Sequence, residues 1–385
     1  MEFGKINTSE GTQVCYSVFR RNTADEYNLV ITPPPGTSAA VQFNCIEQAA
    51  LRFAEELHLG HAVIVFQRFF ASDIANQASF LEPVLNFNGG TSVSVIQQPP
   101  AERNKLLAWI YLIDFHQDPV EVQLNGRSFH LSHNGYRHIY TSGLISTATD
   151  NSFLQMEAIL EDYTGMLGRE ALTLEANCIR TWLFVRDIDN NYSGMVKARN
   201  MVFEREGLSH DTHFIASTGI EGQSEVAHSL VNMDAYAIGG ISRDQLIFLK
   251  AYTHLSPTHD YGVAFERGTA VDYGDRRHVF ISGTASIDHK GRILHLNDIE
   301  KQTQRTFENI GALLEEAGAS MEDVASMIVY LRDLADTGFI RTFLNLHYPE
   351  VPVVVAIAPV CRPGWLVEVE CTAVVTTNNP DFGNY

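Results

Sequence analysis

Cys178-Ile-Arg-Thr-Trp-Leu-Phe-Val-Arg-Asp-Ile-Asp and, further along, Ala325-Ser-Met-Ile-Val-Tyr-Leu-Arg-Asp-Leu-Ala-Asp read as one pattern written twice. Each is a run of apolar, β-branched and aromatic residues of strand length that closes on Arg-Asp. Each also follows a stretch with apolar residues at three- and four-residue spacing, 153–167 in the first case and 299–317 in the second, which predicts a helix before the strand. A weaker third copy stands near the start, where 46–57 reads as the helix and Ala62-Val-Ile-Val-Phe-Gln-Arg-Phe-Phe-Ala-Ser-Asp as the strand. The copies end alike, in a strand, a Gly/Pro-rich turn and a long last strand: Val93-Ser-Val-Ile-Gln-Gln-Pro-Pro to Leu106-Leu-Ala-Trp-Ile, His213-Phe-Ile-Ala-Ser-Thr-Gly-Ile-Glu-Gly to Val231-Asn-Met-Asp-Ala, and Val353-Val-Val-Ala-Ile-Ala-Pro-Val-Cys-Arg-Pro to Leu366-Val-Glu-Val-Glu. A repeat of this length predicts three α+β units, at 1–118 (degenerate), 119–243 and 244–385, each a mixed sheet with helices on one face.

Composition agrees with a large globular chain. Its 385 residues exceed one ordinary core, and 45% hydrophobic against 19% charged residues gives ample surface to bury. The net charge of −19 and the lack of a basic stripe argue against nucleic acid as a partner. No apolar run approaches the roughly 20 residues that span a bilayer, and the N-terminal residues lack a signal-peptide pattern, so a cytoplasmic protein without membrane contact is expected. Five cysteines at wide spacing, with no CxxC, suit a reducing compartment. The 15 histidines form no HxH or HExxH, and no P-loop or dinucleotide-binding GxGxxG follows a strand. Catalysis with neither metal nor cofactor is the expectation. A small anionic substrate would then need several arginines gathered in one pocket, because the field of the whole chain opposes its approach.

Residues 262–375 carry, in order, Phe280-Ile-Ser-Gly-Thr-Ala-Ser-Ile-Asp, Gln302-Thr303, Glu308-Asn309-Ile310, Tyr330-Leu331-Arg332-Asp333 and Leu366-Val-Glu-Val-Glu. This series resembles the YjgF/RidA family, with its chorismate-mutase-like fold. Members of that family are trimers with sites in the clefts between subunits. The resemblance therefore implies that three fused units form an intramolecular pseudo-trimer, acting as a monomer or a weak homo-oligomer. Two further segments are similar to the chorismatases: Tyr192 followed seven residues on by Arg199, with Ala216-Ser-Thr-Gly-Ile-Glu-Gly, and the linker 252–268 with Tyr261-Gly262 and Phe265-Glu-Arg-Gly. The likeness covers about 176–375, and the first 120 residues add little to it.

What the chorismatase resemblance implies is a reaction that releases pyruvate from chorismate. Glu368 would be the acid that protonates the methylene carbon of the enolpyruvyl ether. Its apolar neighbours Val367 and Val369 fit a buried carboxyl with a raised pKa, although by pattern alone Glu368 and Glu370 also read as a solvated edge-strand face. In chorismatases of this kind a cysteine seven residues before the acid accompanies formation of 3-hydroxybenzoate through an arene oxide, whereas an alanine accompanies simple hydrolysis to a dihydrodiol. Cys361 has that spacing, and the 4-hydroxybenzoate isomer is left open. The alternative reading of Cys361 is a buried, inert thiol, the usual state of a free cysteine.

The substrate's two carboxylates call for arginine forks. Candidates are Arg199 and Tyr192, two turns apart on one helical face, and Arg267 with Tyr252 and Tyr261, together with Arg362 at the last turn. The Ser217-Thr218-Gly219 segment reads as a turn whose Thr218 hydroxyl and Gly219 amide could bind an anion, or as a tight turn only. Arg276-Arg277-His278 reads as a polar turn before the strand 279–282. One departure separates the chain from RidA-type enamine/imine deaminases: the arginine that holds their substrate carboxylate falls at Val354. A deaminase, and a metabolite-binding module without catalysis, are the alternatives to weigh.

Overall fold

The structure is a computed structural model and describes residues 1–85, 90–116 and 120–385. The first third holds β1 (Glu2–Asn7), β2 (Gln13–Phe19), β3 (Ala24–Thr32), α1 (Ala39–Glu56), β4 (Ala62–Ala71), α2 (Ile74–Leu85), β5 (Ser92–Gln97) and β6 (Leu106–Phe115). The middle third holds β7 (Glu121–Asn125), β8 (Ser128–His133), β9 (Tyr136–Ile145), α3 (Ser152–Arg169), α4 (Leu174–Asn177), β10 (Cys178–Val185), α5 (Ile188–Arg205), β11 (Ala216–Glu221) and β12 (Val231–Gly239). The last holds β13 (Leu246–Leu249), β14 (Gly268–Asp272), β15 (Arg276–Ala285), α6 (Ile299–Glu316), β16 (Val324–Leu331), α7 (Thr337–His347), β17 (Val353–Ile357) and β18 (Val367–Thr376).

Three six-stranded sheets result, with orders β1-β2-β3-β6-β4-β5, β7-β8-β9-β12-β10-β11 and β13-β14-β15-β18-β16-β17. The order is the same three times. In each, three antiparallel strands lead to the unit's last strand, then to the strand read first in the repeat, then to one parallel edge strand (β4 with β5, β10 with β11, β16 with β17). The degenerate first unit thus keeps the whole topology. The expected first boundary, 118/119, lies outside the described residues; β12 and β13 lie on either side of the second, 243/244.

Helices cover one face of each sheet, as their sequences require. Helix α1 turns Ile46, Ala49, Ala50 and Phe53 inward, and α3 does so with Met156, Ile159, Leu160, Tyr163 and Leu167. Ser38 caps α1, so that helix starts well before the expected residue 46. The uncovered faces meet at the centre, where Phe66, Trp109, Tyr140, Trp182, Tyr236 and Phe280 line a narrow cavity.

The units close into a ring. Gln97 N–H donates to the Gln223 carbonyl (2.9 Å), Glu221 N–H to Pro359 (3.1 Å) and Ile357 N–H to Pro99 (2.8 Å), so the segments after the three edge strands bond one another in a cycle. A buried ion pair stands at each junction: Arg68–Asp234 at 2.8 Å, Arg180–Glu370 at 2.7 Å and Arg276–Glu26 at 2.5 Å. Apolar neighbours make any mismatch at these pairs costly, because a lone charge there would be left without water. Arg276 corrects one expectation. The run 276–278 is not a polar turn but the start of β15, and Arg276 is fully buried because Glu26 of the first unit neutralises it. No helix among the described residues is long and apolar enough to cross a membrane.

Candidate active site

Strand β18 lies between β15 and β16 and is not an edge, so Glu368 and Glu370 are buried rather than solvated. Strand alternation turns both carboxyls to the same face, toward the middle unit. Glu368 opens on a cleft of roughly 530 Å³ between the middle and last units. Tyr192 and Arg199 of α5 and Gly219 of β11 form one wall, while Tyr261, Arg267, Cys361 and Arg362 form the other. Residues scattered over 177 positions of sequence therefore converge on one space, which needs two different units to build it.

The Glu368 side chain is 4% exposed. Burial, helped by the negative charge of Glu370, pushes its pKa up to about 8, against opposing pulls from Arg180 and Arg267. At neutral pH this carboxyl holds its proton. Gly283 of β15 lies against it, and a Cβ there would collide with the carboxylate oxygen, so only glycine allows the approach. Beside it, Cys361 lines the cleft with Tyr192, and burial pushes that thiol up to about 12. Cys361 is accordingly a neutral thiol and not a thiolate nucleophile.

The arginines of the cleft have no acidic partners among the described residues. Arg199 is 2% exposed, and its Nε and Nη2 find no hydrogen-bond acceptor. Arg267 donates only to the Ser256 carbonyl (3.0 Å), and Arg362 only to the Gly291 carbonyl (3.3 Å). Aromatic rings hold them in place instead. Arg362 lies 4.4 Å from the Tyr261 ring centre and 4.8 Å from that of Trp365, and Arg267 lies 5.3 Å from that of Phe265. In a chain with 46 acidic against 27 basic residues, guanidinium groups left unneutralised in one cleft form a receptor for an anion.

Two of the expected site residues stand elsewhere. Tyr252 is 54% exposed and borders a neighbouring cleft with His210, Lys250 and His259, separated from the first by Arg267. Residues 217–219 are strand β11 rather than a turn, and alternation sends the Thr218 side chain beneath the cleft. Its hydroxyl accepts from Arg180 Nη2 (2.6 Å) and the Gly283 amide (2.9 Å) and donates to Glu370. One donor and two acceptor sites are thereby used up, with none left for a ligand. The sequence reading missed Arg180 and Trp182; a charged residue in the middle of the apolar run 178–185 was the available signal.

The register also shows how the three units differ at the Glu368 position. Phe184 pairs with Asn232, Tyr330 with Glu368 and Phe70 with Leu107, each one residue from the strand end that precedes the Arg-Asp or Ser-Asp corner. Asparagine and leucine thus occupy the Glu368 position in the other two units. No group of three or more His, Cys, Asp or Glu among the described residues is placed to hold a metal ion.

Residues 267–375 match the family described as Endoribonuclease L-PSP. The chain is 40% identical to a RutC family protein of Pyrococcus abyssi over 72 residues, 19% of this chain and 57% of that protein. It is 31% identical to a RutC family protein of Saccharolobus solfataricus over 96 residues, 25% of this chain and 76% of that one. The chain thus spans little more than half the length of the first of these relatives. Over a far longer stretch its fold matches the crystal structure of a chorismatase, with a TM-score of 0.63, covering 80% of this chain and 92% of that one at 17% identity. At that identity the likeness is one of fold.

Proposed function

From a chain that belongs through its last unit to the RutC family and has the three-unit pseudo-trimeric fold of a chorismatase, we propose an enzyme that releases pyruvate from chorismate and yields 3-hydroxybenzoate. The observation that carries the proposal is the joining, in one cleft, of a protonated carboxyl at Glu368 with arginines that lack acidic partners. A dianion needs the second, and an acid-labile enol ether needs the first.

In this reading Arg199, Arg267 and Arg362 take the two carboxylates, and Tyr192 and Tyr261 orient the ring between them. Glu368 delivers its proton to the methylene carbon of the enolpyruvyl ether, leaving an oxocarbenium ion. The neighbouring ring hydroxyl attacks the carbon that carries the ether oxygen, that C–O bond breaks, and pyruvate leaves. The hydroxyl proton returns to the Glu368 carboxylate, so the acid is reset and no water is consumed. The resulting arene oxide opens to the phenol. A neutral thiol at Cys361, held against Tyr192, occupies space beside the reacting carbon that water would otherwise fill.

Deamination is disfavoured at one position. Val354, where a deaminase would carry its carboxylate-binding arginine, is wholly buried in the core of the last unit. The test is chromatography of the aromatic products from chorismate. Equal amounts of 3-hydroxybenzoate and pyruvate are expected, and Cys361→Ala should divert part of the product to the dihydrodiol. A product mixture that does not change in the variant would remove Cys361 from the mechanism.

A further inference from the structure

Behind Glu368, out of reach of the cleft, lies the buried junction between the middle and last units. The Glu370 carboxylate there receives Arg180 Nη2 at 2.7 Å, Trp182 Nε1 at 2.9 Å and the Thr218 hydroxyl. Arg180 Nη1 donates to the Ser282 hydroxyl (3.1 Å), which in turn accepts from the Ser217 amide (2.9 Å). Neither Arg180 nor Glu370 lines the cleft; both border a small void on its far side. Glu370 and Glu368 nevertheless share one face of β18, about 7 Å apart. An anion that three donors hold in place cannot swing away from its neighbour.

We propose that Glu370 and Arg180 are positioning residues: the fixed anion of Glu370 keeps the proton on Glu368, and Arg180 sets how strongly it does so. The inference rests on the reading of Glu368 as the acid. It adds that the acid is tuned from across the unit junction, so that the pseudo-trimer interface is part of the catalytic apparatus. Besides Glu370, the titratable and charged groups that act on or beside Glu368 are Arg180, Arg267, Tyr192, Cys361 and Tyr330. Only Glu370 among the carboxylates opposes its ionisation.

The test is a titration of the Glu368 carboxyl in the full chain without substrate, by carbon-13 NMR of glutamate-labelled protein, with Glu368→Gln to assign the signal. Glu370→Gln removes the anion and leaves Arg180 unpaired, so the Glu368 midpoint should fall by about one to two pH units. The double variant Arg180→Met with Glu370→Leu replaces both charges by apolar groups and protects the fold if the single change fails. Its midpoint should fall less than that of Glu370→Gln, because the two charges it removes act in opposite directions. Wild-type protein, double variant and single variant should therefore titrate in that descending order. A role in folding alone would lower the melting temperature and leave the midpoint in place; equal midpoints in all three proteins would overturn the proposal. Since no substrate is present, this outcome is separate from whether chorismate is turned over.

Discussion

Replacing Glu368 by glutamine should change how stability depends on pH, whatever the substrate. Burial with an anion nearby raises the folded-state pKa of Glu368 to about 8, while the unfolded chain has the ordinary value of 4.5. Between these values the folded protein binds more protons at this site than the unfolded one, so rising pH costs stability. The loss is about 1.4 kcal/mol per pH unit from roughly pH 5 to pH 8, and it levels off above the folded pKa. Glutamine carries no proton to lose. Any constant penalty from its amide cancels in the slope, so the stability difference between variant and wild type should widen in the variant's favour by roughly 3.5 kcal/mol from pH 5 to pH 8, less than the full slope gives because titration is partial at both ends. Urea unfolding midpoints at pH 5, 6, 7, 8 and 9, at fixed ionic strength, measure this directly. Parallel curves for the two proteins would refute the claim that Glu368 is protonated in the folded state near neutral pH.

Other sites give independent tests. Arg199→Met removes a buried guanidinium without an acidic partner, so the unfolding midpoint should hold or rise while KM for chorismate increases at least 30-fold, about 2 kcal/mol of lost binding. Gly283→Ala places a methyl group where the Glu368 carboxyl lies and should lower kcat at least tenfold, with an unchanged circular dichroism spectrum. Asp234→Asn strands Arg68 at the junction of the first two units and should cost about 3–5 kcal/mol in chemical denaturation, with no shift in the pH profile of activity.

Much of the architecture was legible because the same physical pattern is repeated. Apolar strands after amphipathic helices, at 62–73, 178–189 and 325–336, located β4, β10 and β16 and hence the three mixed sheets, while the order of strands within each sheet came only with the structure. The short hairpin strands were harder to see: β7 (Glu121–Asn125) is mostly exposed and has little apolar alternation to mark it. Within the site, Tyr192, Arg199, Gly219, Tyr261, Arg267, Cys361, Arg362 and Glu368 share the cleft; most were singled out by the resemblance to the chorismatases, and local spacing alone accounted only for Tyr192 and Arg199 on one helical face. Thr218 was misplaced by reading β11 as a turn, since a strand sends alternate residues to opposite sides. The charged junctions Arg68–Asp234, Arg180–Glu370 and Arg276–Glu26 join residues 166 to 250 positions apart, and no local pattern pairs them. They become visible only when three sheets are set around one centre.

The measurement that bears most directly on the account is pyruvate release from chorismate, followed continuously through a coupled lactate dehydrogenase assay, for the wild-type protein and Glu368→Gln side by side. Turnover by the wild type, falling by several orders of magnitude in a variant that stays folded, is the expected result. Absence of pyruvate from the folded wild-type protein, or release that continues undiminished without the Glu368 carboxyl, would contradict it.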